Sequence, residues 1–139
     1  MEVLGDTSGL YPLLDGDDLN HALAASAWVK LADSRSGIIV HQFVFHETWS
    51  LIQSRLGHEA LDVFVRDFLP VFLVETVSDA ILRRAMSRCR VARRRHLSLT
   101  DCVTIEMAED RGIRDALAFD RHLREGGLRL PTQQDWLEG

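Results

Sequence analysis

The chain has 139 residues, 46% of them hydrophobic and 27% charged, with a formal net charge of −5. That length suits one domain able to bury a core, the composition argues against wholesale disorder, and no apolar run approaches a membrane span. Cys89 and Cys102 are too few and too unpatterned for a disulfide framework or a zinc site. No lysine or arginine precedes Lys30 to flank a secretory signal, so a cytoplasmic location is the expectation.

Taken in order, short apolar runs alternate with helical stretches. Val3-Leu4-Gly5 leads into Asp6, Thr7 and Ser8, a strand whose carboxyl end carries polar groups. Ser8 to Leu14 reads as a short helix, and Asp15-Gly16-Asp17-Asp18 as a turn. Leu19 to Leu31 is helical, with Leu19, Leu23, Ala27 and Leu31 on one stripe; Ile38-Ile39-Val40 after Gly37 is a second strand. Gln42 to Leu56 is a helix whose inward stripe holds Val44, Thr48, Leu51 and Ile52, with Glu47 among them. Beyond Gly57, His58 to Leu69 forms another helix, stopped by Pro70. Its wide apolar face of Leu61, Phe64, Val65, Phe68 and Leu69 suits either core or a groove for a partner, with Phe64 and Phe68 as interface candidates.

Val71 to Val74 is the third strand. Ser78 caps a helix from Asp79 to about Arg94 that turns Ala80, Ile81, Ala85 and Cys89 inward and its arginines outward. Ser98 or Thr100 caps a helix running to about Asp110. Ala116 to Phe119 is a fourth strand ending at Asp120, and Leu128-Arg129-Leu130 before Pro131 is a fifth, short edge strand. This alternation predicts an α/β sandwich around a parallel sheet, where ligands bind beyond the carboxyl ends of the strands.

Four acids stand out. Asp6, Asp101 and Asp120 fall at predicted helix starts, where a carboxylate also caps free N–H groups. Glu47 has no capping role; a buried arginine partner, or a helix turned toward solvent, would explain it structurally. If the four meet, they raise one another's pKa unless a cation sits among them. Mg²⁺, or Mn²⁺ as the alternative, fits carboxylate ligands without paired cysteines or histidines. Zinc fits worse, because His46-Glu47 begins an H-E-x-x-H pattern but Ser50 stands where the second histidine belongs. His41, His46, His58 and His96 read as surface or loop residues. Seven of the 16 basic residues lie between Arg83 and Arg95, either a solvated helix face or a set of phosphate contacts.

With Asp6-Thr7-Ser8, Glu47, Ser98-Leu99-Thr100-Asp101 and Phe119-Asp120-Arg121-His122 in this order, the chain resembles the PIN-domain family, and within it the VapC toxins of bacterial toxin–antitoxin pairs. The resemblance covers Val3 to about Pro131. It implies a PIN-like three-layer α/β/α sandwich with a central parallel sheet of four to five strands and the first strand inside it. It also implies a Mg²⁺- or Mn²⁺-dependent endoribonuclease that cleaves RNA phosphodiester bonds with metal-activated water, and a homodimer restrained by a cognate antitoxin. Asp6, Glu47, Asp101 and Asp120 match the family's acidic quartet as catalytic residues and metal ligands. Ser8, with Thr7, matches the supporting hydroxyl, and Arg121 and His122 are placed to touch substrate. Leu123 departs from the phenylalanine often found there.

Other acid-bearing α/β proteins fit less well. A phosphotransfer receiver would need a late lysine, and Lys30 is the only one. A dehalogenase-like phosphatase would need a second acid two places after Asp6, where Ser8 stands. A non-catalytic binding module on the same fold would be expected to have lost part of the quartet.

Overall fold

The structure, a computed structural model, describes residues 1–139. Strands β1 (Glu2–Gly5), β2 (Gly37–His41), β3 (Phe72–Glu75) and β4 (Asp115–Leu117) form one parallel sheet in the order β3-β2-β1-β4. Helices α1 (Thr7–Leu14), α2 (His21–Ser34), α3 (Gln42–Arg55), α4 (His58–Val63), α5 (Asp79–Ala92), α6 (Leu99–Arg111) and α7 (Arg121–Glu125) connect and cover it. No helix is long and apolar enough to cross a membrane.

Alternation along the strands builds the layers. Leu4, Ile39 and Ala116 point to one face and pack with Ile81 and Ala85 of α5 and Val103 and Met107 of α6. Val3, Ile38, Val40 and Leu117 point to the other, against Leu10 of α1, Ala27 and Leu31 of α2 and Val44 of α3. This is the α/β/α sandwich expected from the sequence. The chain runs outward from β1 to β2 and β3, then returns to place β4 on the far side of β1. The strand order therefore reverses between β1 and β4, the switch point where open parallel sheets leave a crevice at their carboxyl ends.

Several elements depart from expectation. Leu128–Leu130 adds only a single bridge, Asp115 to Arg129, so the sheet has four strands. That bridge, in which Ala116 N donates to Arg129 O (3.0 Å) and Arg129 N to Arg114 O (2.8 Å), closes the edge of the three-residue β4, and Pro131 offers no N–H to extend the pairing. The α2 helix starts at His21, which leaves Leu19 100% and Leu23 48% exposed; Ala24, Ala27 and Leu31 form the buried stripe. The helix over 58–69 is broken into α4, a π-turn at Phe64–Phe68 and a 3₁₀ turn at Leu69–Val71, since Pro70 cannot continue an α-helical ladder. Phe64 is buried against Phe45 and Phe72 in the core, so it is not available as an interface anchor; Phe68 is half-buried on Trp28 and Val65 is exposed. On α5, Ala80 is exposed, leaving Ile81 and Ala85 as its buried residues.

Candidate active site

Three helix starts converge at the crevice, each capped by or around an aspartate. Asp6 caps α1, its Oδ2 accepting from Ser8 N (3.1 Å) and Ser8 Oγ (2.6 Å). Asp101 lies in the capping box of α6: Ser98 Oγ accepts from Asp101 N (3.0 Å), and Asp101 Oδ2 accepts from Ser98 N (3.2 Å). Asp120 caps α7, its Oδ1 accepting from His122 N (2.8 Å).

Ser8 ties two of these starts together. Its hydroxyl donates once, to Asp6, and accepts twice, from Phe119 N (2.9 Å) and Asp120 N (3.2 Å), which uses its full hydrogen-bonding capacity. The approach is possible because Gly9 lets α1 lie against the backbone of β4. A Cβ there would stand 2.1 Å from Leu117 O. Thr7 makes the other tie, sharing a buried hydrogen bond with Thr48 Oγ1 of α3 (3.0 Å). The sequence pattern had singled out Thr7 and Ser8 but gave no sign that Gly9 is a contact point.

One oxygen of each aspartate is thus engaged, while Asp6 Oδ1, Asp101 Oδ1 and Asp120 Oδ2 receive no hydrogen bond from the protein. No buried side-chain oxygen lacks a partner anywhere, so these three are open to solvent. None of the three aspartates takes part in an ion pair. Burial pushes the Asp6 carboxyl up to about 6 against the pull of its Ser8 hydrogen bonds, and Asp101 and Asp120 push it the same way. Asp101 is also raised, first by burial and then by Asp120, against the Ser98 hydrogen bond. The three are electrostatic neighbours, although no three acidic or histidine side chains close to chelating range as they stand. Three free carboxylate oxygens without a counter-cation are a donor set that suits a hard divalent ion.

Glu47 is placed otherwise than expected. The buried stripe of α3 is Val44, Thr48 and Ile52, and Glu47, about 60° around the helix from Val44, is exposed and unpaired. It lies on the lip of a cleft that also includes Thr100, the neighbour of Asp101. The Thr7–Thr48 bond holds its helix against the site.

Histidine 41 corrects another expectation. His46, His58 and His96 are exposed, but His41 is fully buried. Its Nδ1 accepts from Phe43 N (3.2 Å) and Val44 N (3.4 Å), capping α3; Nε2–H is therefore left to donate to Thr104 Oγ1 of α6 (2.9 Å). Burial pushes its pKa down to about 4, against a hydrogen bond with the Thr100 backbone, so the ring is neutral at pH 7. Histidine is an uncommon cap, and no pattern in the sequence marks this one.

The arginine run divides in two. Arg83 pairs with Asp79, Arg84 with Glu106 and Asp110, and Arg88 with Glu106 and Glu109, which bind α5 internally and to α6. Arg94 donates to Glu125 (2.7 Å) and to His122 Nδ1 (3.1 Å), beside the aspartates. Arg90, Arg93 and Arg95 have no acidic partner and are exposed. Arg121 is exposed and His122 buried, both following Asp120.

The PIN-domain family profile matches residues 3–127, and the chain belongs to that family. Among solved structures it is similar to VapC20 of Mycobacterium tuberculosis, described as a Sarcin-Ricin loop cleaving toxin. The identity is 26%, over 91% of this chain and 96% of that one, with a TM-score of 0.78. It also shares its fold with PAE2754 of Pyrobaculum aerophilum, at 20% identity over 95% of this chain and 90% of that one, TM-score 0.62. Curated protein sequences give no match.

Proposed function

We propose that this protein is a divalent-metal-dependent endoribonuclease of the VapC type, the toxin of a toxin–antitoxin pair. The observation that carries the reading is the group of aspartates Asp6, Asp101 and Asp120 at the β1–β4 switch point, each with one unengaged oxygen and none with a counter-cation. An RNA substrate and an antitoxin partner are supported by the likeness to VapC20, a Sarcin-Ricin loop cleaving toxin. A homodimer in the cytoplasm belongs to the same reading.

In this reading Asp6, Asp101 and Asp120 would hold Mg²⁺ or Mn²⁺, and Glu47 would complete the shell or orient the attacking water. Bound there, the ion supplies Lewis-acid stabilisation of the charge that grows on the scissile phosphate. Ser8 fixes Asp6 against the loop that carries Asp120, and Thr7 fixes α3. Exposed Arg121 would face the substrate beside the acids, with Arg94 and the buried His122 supporting it from behind. Arg90, Arg93 and Arg95 add phosphate contacts that position RNA without reading its sequence.

The test is cleavage of structured RNA by purified protein in Mg²⁺ and in Mn²⁺, beside an Asp6→Asn variant. Cleavage by the wild type alone, abolished by EDTA, is the expected result. Equal cleavage by both proteins would place the activity elsewhere.

A further inference from the structure

The cleft beside the acids has a chemistry of its own. It is an open cleft of about 440 Å³ between α3 and the first turn of α6. Its walls are Phe43, Leu51 and Leu99, with His46, Ser50 and Thr100 set among them and Glu47 at the edge. Leu99 is 40% exposed, an apolar side chain standing in solvent directly beside the capping box that carries Asp101. No lysine or arginine lines the cleft, so it is not built for phosphate. Apolar walls, one aromatic ring, and hydroxyl and imidazole groups suit a flat, uncharged ligand with polar edges.

Its two walls are also held at a fixed separation. His41 caps α3 through Nδ1 and reaches Thr104 of α6 through Nε2, and Thr104 Oγ1 donates back to Thr100 O (3.2 Å). The His41 ring packs edge-on against Phe43, with centroids 5.9 Å apart. The cleft is thus preformed, and it adjoins the acids through Thr100, the chain neighbour of Asp101. Single-stranded RNA is read by unstacked bases placed on aromatic side chains and hydrogen-bonded at their edges.

We propose that this cleft receives one unstacked nucleobase of the RNA strand, next to the phosphate presented to Asp6, Asp101 and Asp120, and that Phe43, Ser50 and Leu99 determine which base is accepted. The proposal rests on the nuclease reading above and names the part of the site that confers its sequence preference. The exposed arginines Arg90, Arg93 and Arg95 contribute no base discrimination.

Two substitutions on exposed positions test it without touching the core or the acids: Leu99→Trp, which fills the slot, and Ser50→Ala, which removes a polar edge contact. Cleavage of an RNA pool with randomised positions, read by sequencing the new ends, should show the wild type favouring one base at one position beside the cut. Leu99→Trp should flatten that preference and raise KM about tenfold, the size of one lost base–side-chain stacking contact, with kcat changed less than about threefold. Ser50→Ala should shift the preference with a smaller change in KM. In EDTA, wild-type protein should bind AAAA, CCCC and UUUU tetraribonucleotides with different affinities, and Leu99→Trp should bind them alike. This arm is independent of cleavage, so a protein that cleaves nothing yet discriminates bases overturns the nuclease reading and keeps the base slot. A variant pair that leaves cleavage preference, KM and tetranucleotide affinity unchanged overturns the slot and keeps the nuclease. That second outcome is the one expected if the cleft takes a protein side chain instead.

Discussion

Asp6 and Asp115 stand at opposite ends of two hydrogen-bonded strands, one just past the carboxyl end of β1 and the other at the start of β4, and they are almost equally buried, at 4% and 2%. Asp115 is fully answered: Arg129 Nε and Nη2 donate to its two oxygens at 2.8 Å each, and Leu137 N adds a third hydrogen bond at 3.1 Å. Asp6 has only Ser8 and the company of two more carboxylates. Burying a carboxylate with its guanidinium locks the carboxyl-terminal tail onto the sheet, while burying one with like charges leaves a place for a cation. The fold supplies an arginine where a carboxylate has a structural task and supplies none at the three aspartates proposed to hold an ion.

Removing the charge at each end should therefore have different consequences, and the largest is on catalysis. Asp6→Asn or Asp120→Asn should lower the cleavage rate at saturating Mg²⁺ or Mn²⁺ by about 1,000-fold, roughly 4 kcal/mol of transition-state stabilisation, with the fold kept by circular dichroism. Loss of less than tenfold would break the comparison, since the acids would then be as structural as Asp115. Nearly as large, and confined to stability, is Arg129→Leu. It strands Asp115 and should cost about 3–5 kcal/mol in urea unfolding, with activity per folded molecule unchanged. The double change Arg129→Leu with Asp115→Leu should recover part of that loss, because no buried charge is left unpaired.

Acid sharpens the contrast through His41. Its pKa is about 4 in the folded chain against 6.5 in the unfolded one, so between those values the unfolded state binds the extra proton. Its contribution to stability is complete above pH 6.5 and is lost as pH falls toward 4, by about 3 kcal/mol. A His41→Asn variant would keep a capping side chain and remove that slope; an unchanged slope would show that His41 is not what acid attacks.

Much of this was legible in the residues because it depends on local rules. The apolar runs at Val3–Leu4, Ile38–Val40 and Ala116–Leu117 are strands, and Asp6, Ser78, Ser98 and Asp120 cap helices as their types predict. What escaped was set by rotation and by distant partners. Glu47 shares the helical spacing of the buried Val44 and Thr48, yet the Thr7–Thr48 contact turns that helix so that the glutamate faces out. Phe64 could have been core or surface until α4 was seen to break before it. The burial of His41 depends on Thr104, 63 residues away, and no window of sequence contains both. Gly9 likewise gains its meaning only from the Leu117 carbonyl it meets.

The smallest expected effect has the opposite sign to the Asp115 result, which makes it the most discriminating. The Asp6 carboxyl is raised to about 6 in the folded chain from 3.8, so the folded state holds the proton more tightly between those values, and metal-free stability falls as pH rises through that window. At pH 7 the ionised group is buried at a penalty of about 3 kcal/mol. In EDTA, Asp6→Asn should therefore be more stable than wild type by about that amount, although it is inactive, whereas Asp115→Asn should be less stable than wild type. Adding Mg²⁺ or Mn²⁺ should close the first gap by stabilising the wild type alone, because an ion that binds only the folded state shifts unfolding by its own binding free energy. The Asp6→Asn background also removes a carboxylate whose titration opposes His41 between pH 4 and 6, so the loss of stability in acid should be steeper there than in wild type. If Asp6→Asn proves destabilising in EDTA and indifferent to divalent ions, Asp6 belongs with Asp115 as a structural carboxylate.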